Sequence, residues 1–253
     1  LTDLRQGVEE AINLLGEGFL SHPANSDLAD ALHKGSLSGQ EYYQELLRLV
    51  YRLIFLFVAE DRNALLRRDA DPAAREFYLA HYSTRRLRRL AEEIRGSHHV
   101  DLYESLKVVM QLLYREGSTA LGLPALGSYL WSPQALGSLA TCRLDNEAFL
   151  DAVRKLAFTE KGRRLWRTDF RSLGSEELGS VYESLLELRP TISGTRFSLK
   201  SAKGNERKTT GSYYTPHVLV EKLLDTALDP VIDRAASAED PESAILSLKI
   251  VDP

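Results

Sequence analysis

Gln40-Glu-Tyr-Tyr-Gln-Glu-Leu-Leu-Arg-Leu-Val-Tyr-Arg-Leu-Ile-Phe-Leu-Phe-Val-Ala-Glu-Asp-Arg62 is the stretch that decides the fold. Tyr43, Leu46, Leu47, Val50, Ile54, Phe57 and Val58 recur at helical spacing, and Leu49, Leu53 and Leu56 widen the stripe over most of the circumference. A surface helix needs one apolar face, whereas a helix apolar nearly all round is enclosed by its neighbours. The expectation is a helical bundle built around this segment. It is no membrane span: the most hydrophobic run, Leu49 to Ala59, is broken by Arg52 and closed by Glu60, Asp61 and Arg62. A span needs roughly 20 apolar residues.

Working outward, Leu4 to Leu20 has helical spacing and stops at His22-Pro23, and a short helix follows from Ser26 to His33, ending at Gly35. Further helices are expected over Pro72 to Tyr82, Thr84 to Arg95 and Asp101 to Glu116, the last two closed by Gly96 and Gly117. Glycine and proline then make an irregular connection to Asp145. Helix returns at Asn146 to Ala157 and at Ser175 to Leu188, with Ser175 as N-cap and Pro190 past the end. From Thr191 to Thr210 the chain turns basic, and Phe197 and Leu199 alternate with polar neighbours, as in a short hairpin strand before a loop. A helix from Pro216 to about Arg234, a polar linker from Ala235 to Glu242 and a buried strand over Leu246 to Val251 complete the reading.

The 253 residues carry a net charge of -4, so no overall basic bias marks a nucleic-acid partner, and any phosphate contact must come from a local patch. The single cysteine, Cys142, has no disulfide partner and no thiol cluster for zinc, and reads as a packing residue. A lone cysteine suits a reducing, cytoplasmic setting, and with no signal peptide and no span no membrane contact is expected. The chain opens on Leu1 and closes on Asp252-Pro253 directly after an apolar run, which reads as a fragment.

Two stretches carry chemistry. In Thr210-Gly-Ser-Tyr-Tyr-Thr-Pro216, Gly211 permits a turn, Thr215 suits an N-cap and Pro216 suits the first helical position. Leu219, Val220, Leu223, Leu224, Ala227 and Leu228 then give the helix a face to bury. Free amides at its start favour an anion, and the rings of Tyr213 and Tyr214 attract a cation such as a sulfonium. A well-capped helix behind two packing tyrosines accounts for the same residues. In Leu248-Lys-Ile-Val-Asp-Pro253 a short apolar strand ends in an acid, where ligands of open α/β sheets bind. An ordinary strand end reads the same way.

In succession, Gly211-Ser-Tyr-Tyr-Thr-Pro216, a helix, a polar linker and Lys249-Ile-Val-Asp-Pro253 resemble the opening of the γ-type adenine-N6 DNA methyltransferases. Leu47 to Arg62 and Glu177-Leu-Gly-Ser-Val-Tyr-Glu-Ser-Leu-Leu-Glu187 are similar to segments of the large fused restriction–modification methylases, the group of type IIG enzymes and phage-defence methylases. The resemblance implies that Tyr214, Thr215 and Pro216, with Tyr213 beside them, line the methionine side of an S-adenosylmethionine pocket. Asp252 would open the loop that holds the cofactor's amino acid moiety, and Pro253 would shape it. The Ala-Cys-Gly-Ser-Gly continuation and the catalytic Asn-Pro-Pro-Tyr/Phe tetrapeptide of that family are absent, so no catalytic residue is assigned and the fragment is expected to be inactive. The implied partners are double-stranded DNA, whose target base is flipped out, and other restriction or defence subunits. A non-catalytic helical scaffold of a defence complex, binding DNA or protein, is the competing reading.

Lys200, Lys203, Arg207 and Lys208, before Tyr213, are the candidate DNA-binding residues, since this loop belongs beside the cofactor cleft. Two further basic clusters, Arg85, Arg86, Arg88, Arg89 and Arg95, and Lys161, Arg163, Arg164, Arg167 and Arg171 around Trp166, read equally as solvated faces paired with Glu92, Glu93 and Glu160. Glu60, Asp61 and Arg62 read as a helix-end ion pair, and His98-His99 as exposed loop without a third metal ligand. The expected fold class is mainly α: a helical domain over 1–190, a basic loop or hairpin over 191–210, and over 211–253 the first helix and strand of an α/β Rossmann-like methyltransferase domain.

Overall fold

In the computed structural model, residues 2–161, 164–186, 188–201 and 215–249 are described. The fold is mainly α. Helices α1 (Thr2–Ser21), α2 (Ser26–Lys34), α3 (Gly39–Asp61), α4 (Pro72–His81), α5 (Thr84–Glu93), α6 (Asp101–Tyr114), α7 (Pro133–Leu136) and α8 (Asn146–Ala157) precede a hairpin of β1 (Phe158–Lys161) and β2 (Arg164–Arg167). Helix α9 (Ser175–Leu186) and a second hairpin, β3 (Leu188–Ser193) and β4 (Arg196–Ser201), follow. The carboxyl-terminal helices are α10 (His217–Leu223), α11 (Asp229–Ala236) and α12 (Pro241–Leu246). Among the described residues no helix is long and apolar enough to cross a membrane.

Helix α3 occupies the centre, as its apolar circumference requires. Its start is fixed by a reciprocal capping box: the Ser38 hydroxyl accepts from the Glu41 amide at 3.1 Å, and the Glu41 carboxylate accepts from the Ser38 amide at 2.8 Å. Leu46, Leu49, Val50, Leu53, Leu56 and Phe57 are fully buried. Buried tyrosines donate their hydroxyls to backbone carbonyls, Tyr42 to Gly16, Tyr43 to Leu185 and Tyr103 to Leu139, so each ring adds apolar area without stranding a polar atom. The enclosure is not purely apolar: Glu45, Arg52 and Glu60 of the same helix are also buried.

Helix α1 packs along α8 and beneath β4. Gly16 makes the second contact possible, since a Cβ there would lie 2.5 Å from the Phe197 ring. Asn13 Oδ1 accepts from the Leu199 amide at 3.0 Å and fixes β4 to α1. The β3–β4 hairpin thus belongs by packing to the helical core, and its first strand begins at Leu188, ahead of the boundary placed at 190.

The start of α8 is held differently. Its Asn146 and Glu147 amides donate to the carbonyls of His99 and Ser97, at 2.7 and 3.1 Å, so the 97–99 loop supplies the acceptors that a helix start needs. That approach leaves no room at Gly96, where a Cβ would lie 2.2 Å from the Glu147 backbone nitrogen. Gly96→Ala is expected to destabilise the protein by at least the roughly 1–3 kcal/mol typical of overpacking. Urea unfolding measures this, and an unchanged midpoint would show that the loop does not cap the helix.

Differences from the sequence reading lie mostly at ends. Helix α9 is capped by Gly174 rather than Ser175: the Gly174 carbonyl accepts from the Leu178 amide, and Glu177 reaches back to the Gly174 amide at 2.8 Å. The expected linker from 235 to 242 is in part helical, and the segment expected to start a strand at Leu246 is instead the end of α12. Asp240 causes this, because its carboxylate accepts from the Ser243 amide at 3.2 Å with Pro241 at the first helical position. Leu248 and Lys249 follow outside any strand, and Ile250 to Pro253 lie outside the described residues. Both sheets among the described residues are two-stranded antiparallel hairpins.

Candidate functional site

The β3–β4 hairpin turns at Gly194, whose φ of +61° suits glycine, and pairs in register from Leu188 opposite Ser201 to Ser193 opposite Arg196. Side chains alternate across such a ribbon, and directly paired residues share a face. Leu188, Phe197 and Leu199 point into the core. Arg189, Thr191, Arg196, Ser198 and Lys200 are exposed. The outward face therefore carries Arg189 directly across from Lys200, with Arg196 near the turn and two hydroxyls between. Neither strand contains an acid, and from 188 to 214 six cations stand against Glu206 alone.

Lys200 is thus on an exposed cationic face, as a phosphate contact requires. Lys203, Arg207 and Lys208 lie outside the described residues. Arg189 was left out because it falls between the expected helix end at Leu188 and the basic stretch taken to begin at Thr191. The signal available was the mirrored alternation of Leu188, Pro190 and Ile192 with Phe197 and Leu199 about Gly194.

Of the expected cofactor residues, Thr215 and Pro216 are described and exposed, while Tyr213, Tyr214, Asp252 and Pro253 lie outside the described residues. The helix starts one residue later than expected. Pro216 has φ -55° and ψ 136°, and its carbonyl accepts from the Leu219 and Val220 amides at 2.9 and 3.3 Å. Pro216 therefore takes the capping position intended for Thr215: its fixed φ suits either place, but its extended ψ leaves it outside the helix. A turn of π-helix over Leu224–Leu228 carries α10 into α11. Pro230 accounts for it, because proline lacks an amide and its ring displaces the carbonyl one turn before.

The apolar stripe of this helix lies open. It was expected to be buried, yet Leu219 is 60%, Val220 38%, Leu223 64% and Leu224 41% exposed, and Val218 beside them is 74% exposed. Heptad-like spacing identifies the apolar side of a helix but not what covers it.

The remaining candidates serve the fold. Buried Glu60 accepts from the Tyr78 hydroxyl and from the Thr84 and Arg85 amides, each at 2.7 Å, so it caps α5 from α3. Asp61 takes a bidentate contact from Arg88 at 2.7 and 2.9 Å, and the guanidinium lies 4.9 Å from the Phe57 ring centroid. Arg62 donates to the Arg171 and Leu173 carbonyls. Arg85 donates to the Glu60 carbonyl, and Arg167 pairs with Glu92, so both basic clusters are partly spent on internal bonds. Trp166 remains exposed on β2, a strand that the sequence reading did not anticipate. His98 lies at 3.2 Å from Asp145, which also meets His22 at 3.3 Å. Among the described residues no group of His, Cys, Asp and Glu is arranged to hold a metal. Burial pushes the Cys142 thiol up to about 11, which fits a packing role.

Comparison with protein-family models, with curated proteins and with solved structures gave no match.

Proposed function

We propose that this chain is the amino-terminal part of an S-adenosylmethionine-dependent adenine-N6 DNA methyltransferase of a restriction or phage-defence system. The ordered segments Leu47 to Arg62, Glu177 to Glu187, Gly211 to Pro216 and Lys249 to Pro253 suggest the family. The observation that carries the reading is the open apolar stripe directly behind Thr215-Pro216. An exposed run of Val218, Leu219, Leu223 and Leu224 needs a covering surface, and the sheet of a cofactor-binding domain would supply one. In this reading the chain holds the cofactor's methionine end through Tyr213, Tyr214, Thr215 and Pro216, and its amino acid moiety near Asp252 and Pro253. Methyl transfer would rest on an Asn-Pro-Pro-aromatic element outside these residues.

The helical domain would present the hairpin's cationic face to the phosphates flanking a flipped adenine. Reversing the charge of Lys200, Lys203, Arg207 and Lys208 in the intact enzyme is expected to weaken DNA binding and to make the loss of affinity between 50 and 200 mM salt about 10²-fold smaller than in the wild type, because each phosphate contact adds about 0.9 to the slope of log K against log salt. The slope should fall by roughly 3–4. Fluorescence anisotropy across a salt series reads it directly, and an unchanged slope would remove the hairpin from the DNA interface.

The same exposed stripe favours one competing reading, a helical scaffold whose α10–α11 face docks a partner protein. Cofactor titration separates the two: the methyltransferase reading requires saturable S-adenosylmethionine binding by the intact protein, and the scaffold reading requires none.

A further inference from the structure

Arg52 lies at the middle of α3 and is 1% exposed. A buried guanidinium is normally paired with a carboxylate and uses its five N–H donors. Among the described residues Arg52 has no such carboxylate. Its Nη2 donates to the Ser132 carbonyl at 2.7 Å, its Nη1 meets the Met110 Sδ, a weak acceptor, at 3.4 Å, and its Nε has no partner. Burial pushes the guanidinium down to about 10, and nearby Arg48 disfavours the charge further.

Beside it is a cavity of about 80 Å³, against the roughly 10–15 Å³ that a single water requires. Arg52, Lys107 and Gln111 contribute its polar lining, and Trp131, Pro133 and Leu136 its apolar walls. No described lining residue is acidic. Lys107 has its own partners, Glu104 at 2.8 Å and the Cys142 carbonyl at 3.2 Å, so its charge is already balanced and Arg52 is the unpaired cation of the lining.

We propose that this cavity binds a small oxyanion, a carboxylate or a phosphate group, as the counter-charge of Arg52. A planar guanidinium with unused donors recognises either group. The site is separate from the β3–β4 hairpin and does not depend on the methyltransferase reading.

The test is thermal unfolding of the full chain in acetate, in inorganic phosphate and in chloride at constant ionic strength. One oxyanion should raise Tm saturably above chloride, by roughly 5–10 °C at a hundredfold excess over Kd. An acetate response identifies a carboxylate site and a phosphate response a phosphoryl site. Arg52→Met should abolish the shift, as should Ala140→Leu, which fills the cavity and leaves Arg52 in place. No oxyanion-specific shift, or a shift that persists in Ala140→Leu, overturns the proposal and leaves Arg52 as a strut for the Ser132 carbonyl.

Discussion

Glu60→Ala should destabilise the protein by about 3–5 kcal/mol, because it strands three donors at once. The carboxylate is 4% exposed and is the acceptor for the Tyr78 hydroxyl and for the first amides of α5. These contacts tie α3 to the α4–α5 corner. Glu60→Gln keeps the shape but sets an amide N–H₂ against one of those donors, so its loss should be smaller than that of the alanine. Burial holds the Glu60 carboxyl above its ordinary range even though these hydrogen bonds favour the charged form. A raised folded-state value means that the folded protein binds the proton more tightly than the unfolded chain. The resulting stabilisation is complete below the unfolded value and is lost as pH rises through the folded one. Relative to Glu60→Gln, the wild type should therefore lose stability as pH rises from about 4.5. A wild-type curve parallel to that of Glu60→Gln would show that Glu60 does not titrate abnormally.

Phe57→Ala should cost about 3–5 kcal/mol, lowering Tm by roughly 6–20 °C. Phe57 is fully buried, meets Phe170 edge-on at 5.0 Å and lies under the Arg88 guanidinium. Its loss opens a cavity where α3, α5 and the chain after β2 converge, and removes an aromatic face from a cation held by Asp61. Phe57→Leu, which fills most of the space, should cost less. If the alanine variant unfolds within 1 kcal/mol of wild type, about the value of one buried methylene, the α3 core is not packed as described.

The central helix was legible because its evidence is local. The apolar spacing from Tyr43 to Val58 and the end signals at Gly35, Gly96 and Gly117 act within a turn or two of chain. Glu60 was legible only as a helix-end acid, since its partners at 78, 84 and 85 are set by tertiary packing. Arg52 likewise read as a break in an apolar run, although it is buried. The β1–β2 hairpin was missed because Arg164 to Arg167 are all exposed and show no alternation. At the candidate site, the spacing behind Pro216 correctly marked a helix and its apolar face. It did not determine whether that face is covered. The helix over Pro241–Leu246 had a readable cap in Asp240-Pro241, but these residues were read as the end of a polar linker leading to an apolar strand over Leu246 to Val251.

The central claim is tested most directly by isothermal titration of S-adenosylmethionine into the intact protein and into its Tyr214→Ala and Asp252→Ala variants. The account predicts one saturable site in the wild type and at least tenfold weaker binding in each variant, a difference of about 1.4 kcal/mol or more. Absence of binding by the intact wild-type protein, with its fold confirmed by circular dichroism, would contradict the methyltransferase reading and leave the helical scaffold in its place.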